Sequence, residues 1–121
     1  MKNKKKHIAV IPARAGSVGV PKKNQILFDN TAEFLNKLSW LDEVIVNSND
    51  SVVLDKAKKR NYTTYKRPDV LSYSNVSIKS VFKDLINSLK INNDVILWLF
   101  YLPILYKNHA DFEDAKEIIE K

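Results

Sequence analysis

"HIAVIPARAGSVGVPKKN", residues 7–24, decides how the rest of the chain is read. His7 to Ile11 is a short apolar run that reads as a buried strand closed by Pro12. The loop that follows, to Asn24, holds Gly16 and Gly19, the two glycines of the chain, together with the cations Arg14, Lys22 and Lys23. Glycine lets a backbone bend sharply and approach a ligand closely, and the free N–H groups of such a loop can form a nest for an anion. Arg14 can add a bidentate fork for phosphate oxygens. The loop lacks the GK[ST] of a Walker sequence and the G-x-G-x-x-G of a dinucleotide fingerprint. On the residues alone it reads either as a phosphate-binding turn or as a surface turn with solvated lysines.

Working outward, strand and helix patterns alternate. Asn30 and Thr31 are placed to cap a short helix with Phe34, Leu35 and Leu38 on one face. Glu43 to Asn47 reads as a second strand, and the NSND behind it is turn chemistry. Val53, Leu54 and Ala57 predict a helix over about 51–60, with Asp50 as its cap. Tyr62 to Lys66 is a β-branched and aromatic third strand, stopped by Arg67-Pro68. Ile78, Val81, Phe82, Leu85, Ile86 and Leu89 mark an amphipathic helix. Asp94 to Phe100 is nearly all apolar and reads as a central strand covered on both faces. Phe112, Ala115, Ile118 and Ile119 give a last helix its apolar spacing.

This alternation implies an α/β domain with a parallel sheet, right-handed crossovers and helices on both faces. Ligands of such sheets lie in the crevice at the carboxyl ends of the strands. Residues 12–24, 47–51, 67–77 and 100–110 are therefore the loops expected to matter.

The length of 121 residues fits one domain, 1–121, with residues 1–6 a basic flexible start that carries four lysines. The net charge of +6 suits anionic ligands. Nucleic acid is a poor fit, because the cations do not gather on one aromatic-laced face. The absence of cysteine excludes disulfides and thiolate metal sites. His7 and His109 are too few for a histidine-rich metal centre, and His7 reads as exposed or edge-packed. Ile8 to Ile11 is too short for a signal peptide core, and Val95 to Leu105 is too short to span a bilayer. A cytoplasmic protein with no membrane partner is the expectation.

The stretch IAVIPARAGSVGVPKKN resembles the amino-terminal signature I-A-[VI]-I-P-A-R-G-G-S-K-G-[IL]-P-x-K-N of the cytidylyltransferases that activate sialic acids and related acidic sugars. LDEVIVNSND stands where that family has F-D-x-V-I-V-S-T-D-D, and KRPDVLSYSNVS where it has x-R-P-x-x-L-A-x-D-x-A-S. DVILWLFYLPI stands where it has a strand followed by Q-P-T-S-P. The resemblance covers nearly the whole chain but only the amino-terminal part of the family's enzymes. It implies a three-layer sandwich with a mainly parallel sheet, of the Rossmann-like nucleotide-diphosphosugar transferase type, truncated here.

The same resemblance implies CTP as ligand, Mg²⁺ as cofactor and an acidic sugar or other small acceptor, within cell-surface polysaccharide biosynthesis. Arg14 and Lys23 would meet phosphates as the catalytic cations, with Gly16 and Ser17 in the loop that wraps them. Ala13 and Asn24 would line the nucleotide, and Arg67 and Ser77 would lie near the base. The sequence also departs from the family. Val18 replaces the lysine of S-K-G, Asn49 replaces the first aspartate of S-T-D-D, and Ser74 stands at another aspartate. FYLPI replaces Q-P-T-S-P, leaving Tyr101, Tyr106 and Lys107 as the polar groups nearby.

The family's later metal-binding aspartates and dimerisation arm have no counterpart. Asp111, Glu113, Asp114 and Glu117 are instead expected on a solvated helix surface. The Val95 to Leu105 run is expected to leave an apolar edge that invites a partner, a second copy among them. Three readings follow: a short cytidylyltransferase, a nucleotide-binding module without turnover, and a truncated inactive relative.

Overall fold

The computed structural model describes residues 5–13, 23–68, 77–91, 94–100 and 110–120, with the side chains of 23–26, 78 and 120 set aside. Four parallel strands, β1 (Lys6–Ala13), β2 (Glu43–Ser48), β3 (Thr63–Lys66) and β4 (Val95–Leu99), form one sheet in the order β3-β2-β1-β4. The helices α1 (Lys23–Leu35), α2 (Ser51–Lys59), α3 (Ile78–Leu89) and α4 (Ala110–Glu120) alternate with them.

The two faces of the sheet are set by alternation along β1 and β2. Ala9, Ile11, Ala13 and Val46 point to one side and pack with Phe28, Ala32 and Leu35 of α1 and with Val53 and Ala57 of α2. Phe112 of α4 joins that layer, stacked on Phe100 at 5.2 Å. Ile8, Val10 and Ile45 point to the other side and meet Leu85 and Phe82 of α3. The crossovers β1-α1-β2-α2-β3 step one way along the sheet and β3-α3-β4 steps back, with helices on opposite faces. A single hand of crossover requires that arrangement. The expected three-layer α/β class is therefore what the chain adopts.

Several local expectations change. β1 runs two residues past Ile11, and Pro12 sits inside it in register with Asn47. Val10 accepts from the Phe100 N–H on the β4 side, so by alternation Pro12 also faces β4, at the end of that ladder, where a missing N–H disrupts least. Lys6 belongs to β1 rather than to the flexible start; its Nζ lies 3.1 Å from Glu43. α1 begins at Lys23, so Asn30 and Thr31 lie within the helix instead of capping it. Thr31 is buried, which the packing of α1 against the sheet accounts for.

β4 is an edge strand among the described residues, not a central one, and all five of its residues are half-buried. An unbroken apolar run reports burial, but not how many strands lie alongside. Ile118 is 72% exposed, so the apolar spacing of α4 is used at Phe112 and not at its far end. Glu113 and Glu117 are exposed, as expected.

His7 is 2% exposed, against the expectation of an exposed or edge position. Two tryptophans from distant parts of the chain enclose it. Trp98 Nε1 donates to His7 Nδ1 at 2.9 Å, and the Trp40 ring meets the imidazole edge-on at 5.4 Å. The His7 N–H donates to Asp42 Oδ2 at 2.7 Å, and Asp42 donates its own N–H back to the His7 carbonyl. This cluster closes the amino end of the sheet. A cleft of about 320 Å³ at the same end is lined by Leu38, Asp42, Val44, Arg60 and Tyr62, and none of the expected site residues borders it.

Candidate functional site

The strand order places a topological switch between β1 and β4: the chain leaves β1 toward β2 and returns to β4 on the opposite side. In open parallel sheets, ligands bind outside the carboxyl ends of the strands at such a point. Ala13 ends β1 there, 2% exposed and in register with Ser48. α1 starts at the same end, because a helix that follows a parallel strand runs back along it. Lys23 and Asn24 are its first two residues. Its first-turn N–H groups and the positive end of its dipole thus face the crevice, an arrangement that favours anions. Arg14, Gly16 and Ser17 lie outside the described residues, as do Lys22, Tyr101, Tyr106, Lys107 and His109.

Arg67 follows β3 directly and is 6% exposed. Its Nε donates to Asn47 Oδ1 at 2.8 Å and its Nη2 donates to the Asn47 carbonyl at 3.2 Å. Its own N–H donates to the Ser48 carbonyl at 2.9 Å, which extends the β2–β3 ladder by one step. Asn47 is fully buried in β2, between Pro12 of β1 and Tyr65 of β3. Two residues before it, Ile45 packs on the α3 side, so the Asn47 side chain stands on that side as well. Asn47 Nδ2 has no hydrogen-bond partner. Leaving a buried donor unsatisfied costs about 1–3 kcal/mol, so the amide is a place where the fold gives up stability.

Ser77 caps α3, its Oγ accepting from the Ser80 N–H at 3.2 Å. α3 covers the same side of the sheet and begins at the carboxyl end of the strands. The topology therefore gathers Asn47, Arg67 and Ser77 at one end and on one side. Asp50 takes the capping role expected of it: its Oδ1 accepts from the Val52 N–H at 2.9 Å, and its N–H donates to Ser48 Oγ. The described residues hold no group of three histidine or carboxylate side chains able to share a metal ion.

Of the expected site residues, then, Ala13, Lys23, Asn24, Arg67 and Ser77 all come to the carboxyl end of the sheet. The sequence reading missed Asn47. The available signal was a polar residue at a strand position in phase with core-facing Ile45.

No protein-family model matches the sequence, and no curated protein matches it. Comparison of folds gives a different result. The structure of CMP:2-keto-3-deoxy-manno-octonic acid synthetase complexed with CTP superposes on 94% of this chain with a TM-score of 0.73, at 17% sequence identity. The two share a fold. The chain spans 47% of the length of that synthetase, less than half of it. Among the described residues, no helix is long and apolar enough to cross a membrane.

Proposed function

We propose that this chain binds CTP at the carboxyl ends of β1, β2 and β3 and acts as a cytidylyltransferase, moving CMP to a hydroxyl of an acidic sugar or related small acceptor. The observation that carries this reading is the buried Arg67–Asn47 pair, set in the crevice beside the switch point that the basic glycine segment follows. The fold shared with a synthetase whose structure holds CTP supports it, as does the resemblance of residues 8–24 to the cytidylyltransferase signature.

In this reading Arg14 and Lys23 neutralise the triphosphate, and Gly16 and Ser17 present backbone N–H groups to it. Ala13 and Asn24 line the nucleotide, while Arg67 and Ser77 face the base. The acceptor hydroxyl oxygen attacks the α-phosphorus and gives up its proton to water. The bond from that phosphorus to the bridging oxygen breaks, and pyrophosphate leaves with the electron pair. The protein's contribution is positioning and charge neutralisation. Magnesium, when bound with the triphosphate, would add to the charge neutralisation that Arg14 and Lys23 supply. The second reading is a module that binds CTP without turning it over. A homodimer that pairs the β4 edges belongs to the first reading.

The test is calorimetric titration of the chain with CTP and Mg²⁺, with ATP as competitor control and Arg14→Ala as variant. Selective CTP binding lost in the variant supports the site, and pyrophosphate release on adding acceptor then separates the two readings. Equal weak binding of both nucleotides, abolished by salt, overturns it.

A further inference from the structure

α3 and α4 lie on opposite faces of the sheet, and each turns a stripe of exposed side chains toward the β4 edge. On α3 the flank toward β3 is marked by Asp84 and Ser88, which the Tyr65 hydroxyl of β3 reaches. Helical periodicity puts Lys79, Lys83 and Ile86 on the opposite flank, toward β4. Both lysines are exposed, and Ile86 is 37% exposed. On α4, Phe112 faces the sheet, stacked on Phe100. α4 runs back along β4, and a right-handed helix in that direction turns Asp111, Asp114 and Ile118 away from α1, to the outer side. All three are exposed.

The two stripes match in level and in order. Lys79 is the second residue of α3 and Asp111 the second of α4, and both helices start at the carboxyl end of the sheet. From there α3 presents cation, cation, apolar, and α4 presents anion, anion, apolar, each over about 10 Å of helix at about 1.5 Å per residue. Within one chain these charges repel their own neighbours: Lys79 and Lys83 are one turn apart, as are Asp111 and Asp114. Among the described residues none of the four forms an ion pair.

We infer that a second copy of this chain covers this flank. The two copies meet along their β4 edges about a twofold axis parallel to the strands, so that α3 of each lies beside α4 of the other. Such an axis keeps the strand direction and exchanges the faces of the sheet. It brings Lys79 to Asp111, Lys83 to Asp114 and Ile86 to Ile118, and it does so twice, as an isologous interface requires. A twofold axis perpendicular to the sheet, which lets two β4 strands join in an antiparallel ladder, sets lysines against lysines instead. The inference rests on the β4-edge homodimer of the reading above and gives it a geometry; nucleotide binding does not enter it.

Sedimentation of the full 121-residue chain over a range of concentrations, at low and high salt, reads the dimer. The wild type is expected to dimerise, and to dissociate more readily as salt screens the charges. Lys83→Glu and Asp114→Lys are each expected to raise the dissociation constant about fivefold or more, because one reversal turns two attractions in the dimer into repulsions. The double variant is expected to recover the wild-type value, since opposite charges again face each other. Single reversals that leave the dimer unchanged or tighten it, or a double variant that does not recover, overturn the docking of α3 on α4 and leave a β4-edge homodimer standing. A wild type that stays monomeric at every concentration overturns both. Neither result touches CTP affinity, which the calorimetric titration measures separately.

Discussion

Truncating Leu85 to alanine tests how α3 is held. Leu85 is fully buried between β1 and β2, in a cluster with Ile8, Val10 and Ile45. The substitution removes three carbon atoms, about 2–2.5 kcal/mol of transfer free energy at about 0.8 kcal/mol per buried methylene. The sheet beneath is paired on both sides of β1 and cannot collapse into the gap, so a cavity term adds to this. The total is about 3–4 kcal/mol, within the range measured for buried leucines. Leu89, one turn further on, is 39% exposed, and its truncation is expected to cost less than about 1 kcal/mol. Urea unfolding followed by circular dichroism reads both values, with the slope of the transition as a check on two-state behaviour. Leu85→Ala should also weaken ligand binding, because α3 carries Ser77 at its amino end. Equal losses for the two variants would refute the packing of α3 described above.

Asp50→Ala removes the cap of α2 and is expected to cost about 1 kcal/mol by the same unfolding assay while leaving CTP affinity unchanged. A large loss of CTP affinity would instead make Asp50 a ligand group. Tyr65 donates its hydroxyl to Asp84 at 2.6 Å, and accepting that proton lets the carboxylate push the phenol above its usual ionisation range. The folded state thus holds the neutral phenol more strongly than the unfolded chain does. Its stabilisation is complete below the ordinary phenol pKa and is lost as pH rises through the raised folded value. Tyr65→Phe is therefore expected to lower stability at neutral pH and to flatten its fall above about pH 10, the unperturbed tyrosine value, in melts run across that range.

Much of the fold is legible in local pattern. Ile78 to Leu89 states its helix by spacing, and β2 and α2 are found within a residue of their observed bounds. Other features depend on partners that local pattern does not name. α1 was read too short because Asn24, Asn30 and Thr31 interrupt its apolar spacing, and only packing against β1 and α2 keeps them helical. β4 was placed centrally because an apolar strand looks alike at an edge and in the middle. His7 is buried by tryptophans that the fold brings to it. In the candidate site, the place of Arg67 and Ser77 at the carboxyl end of the sheet was legible in the strand–helix alternation. Asn47 was not, since its meaning comes from a guanidinium 20 residues away.

The position of β1 bears on the order of folding. β1 comes early in the chain, yet its partner on one side is β4, and the Trp98–His7 bond that closes this pairing joins residues 91 positions apart. Strands β1, β2 and β3 can assemble with α1 and α2 through short loops as soon as they exist. β1 keeps one bare flank until nearly the whole chain has been made. Closing so long a loop is slow compared with forming the local pairs. The half-sheet that precedes β4 therefore exposes the backbone of β1 to any other strand during synthesis, and the indole–imidazole bond is the contact that marks the end of that interval.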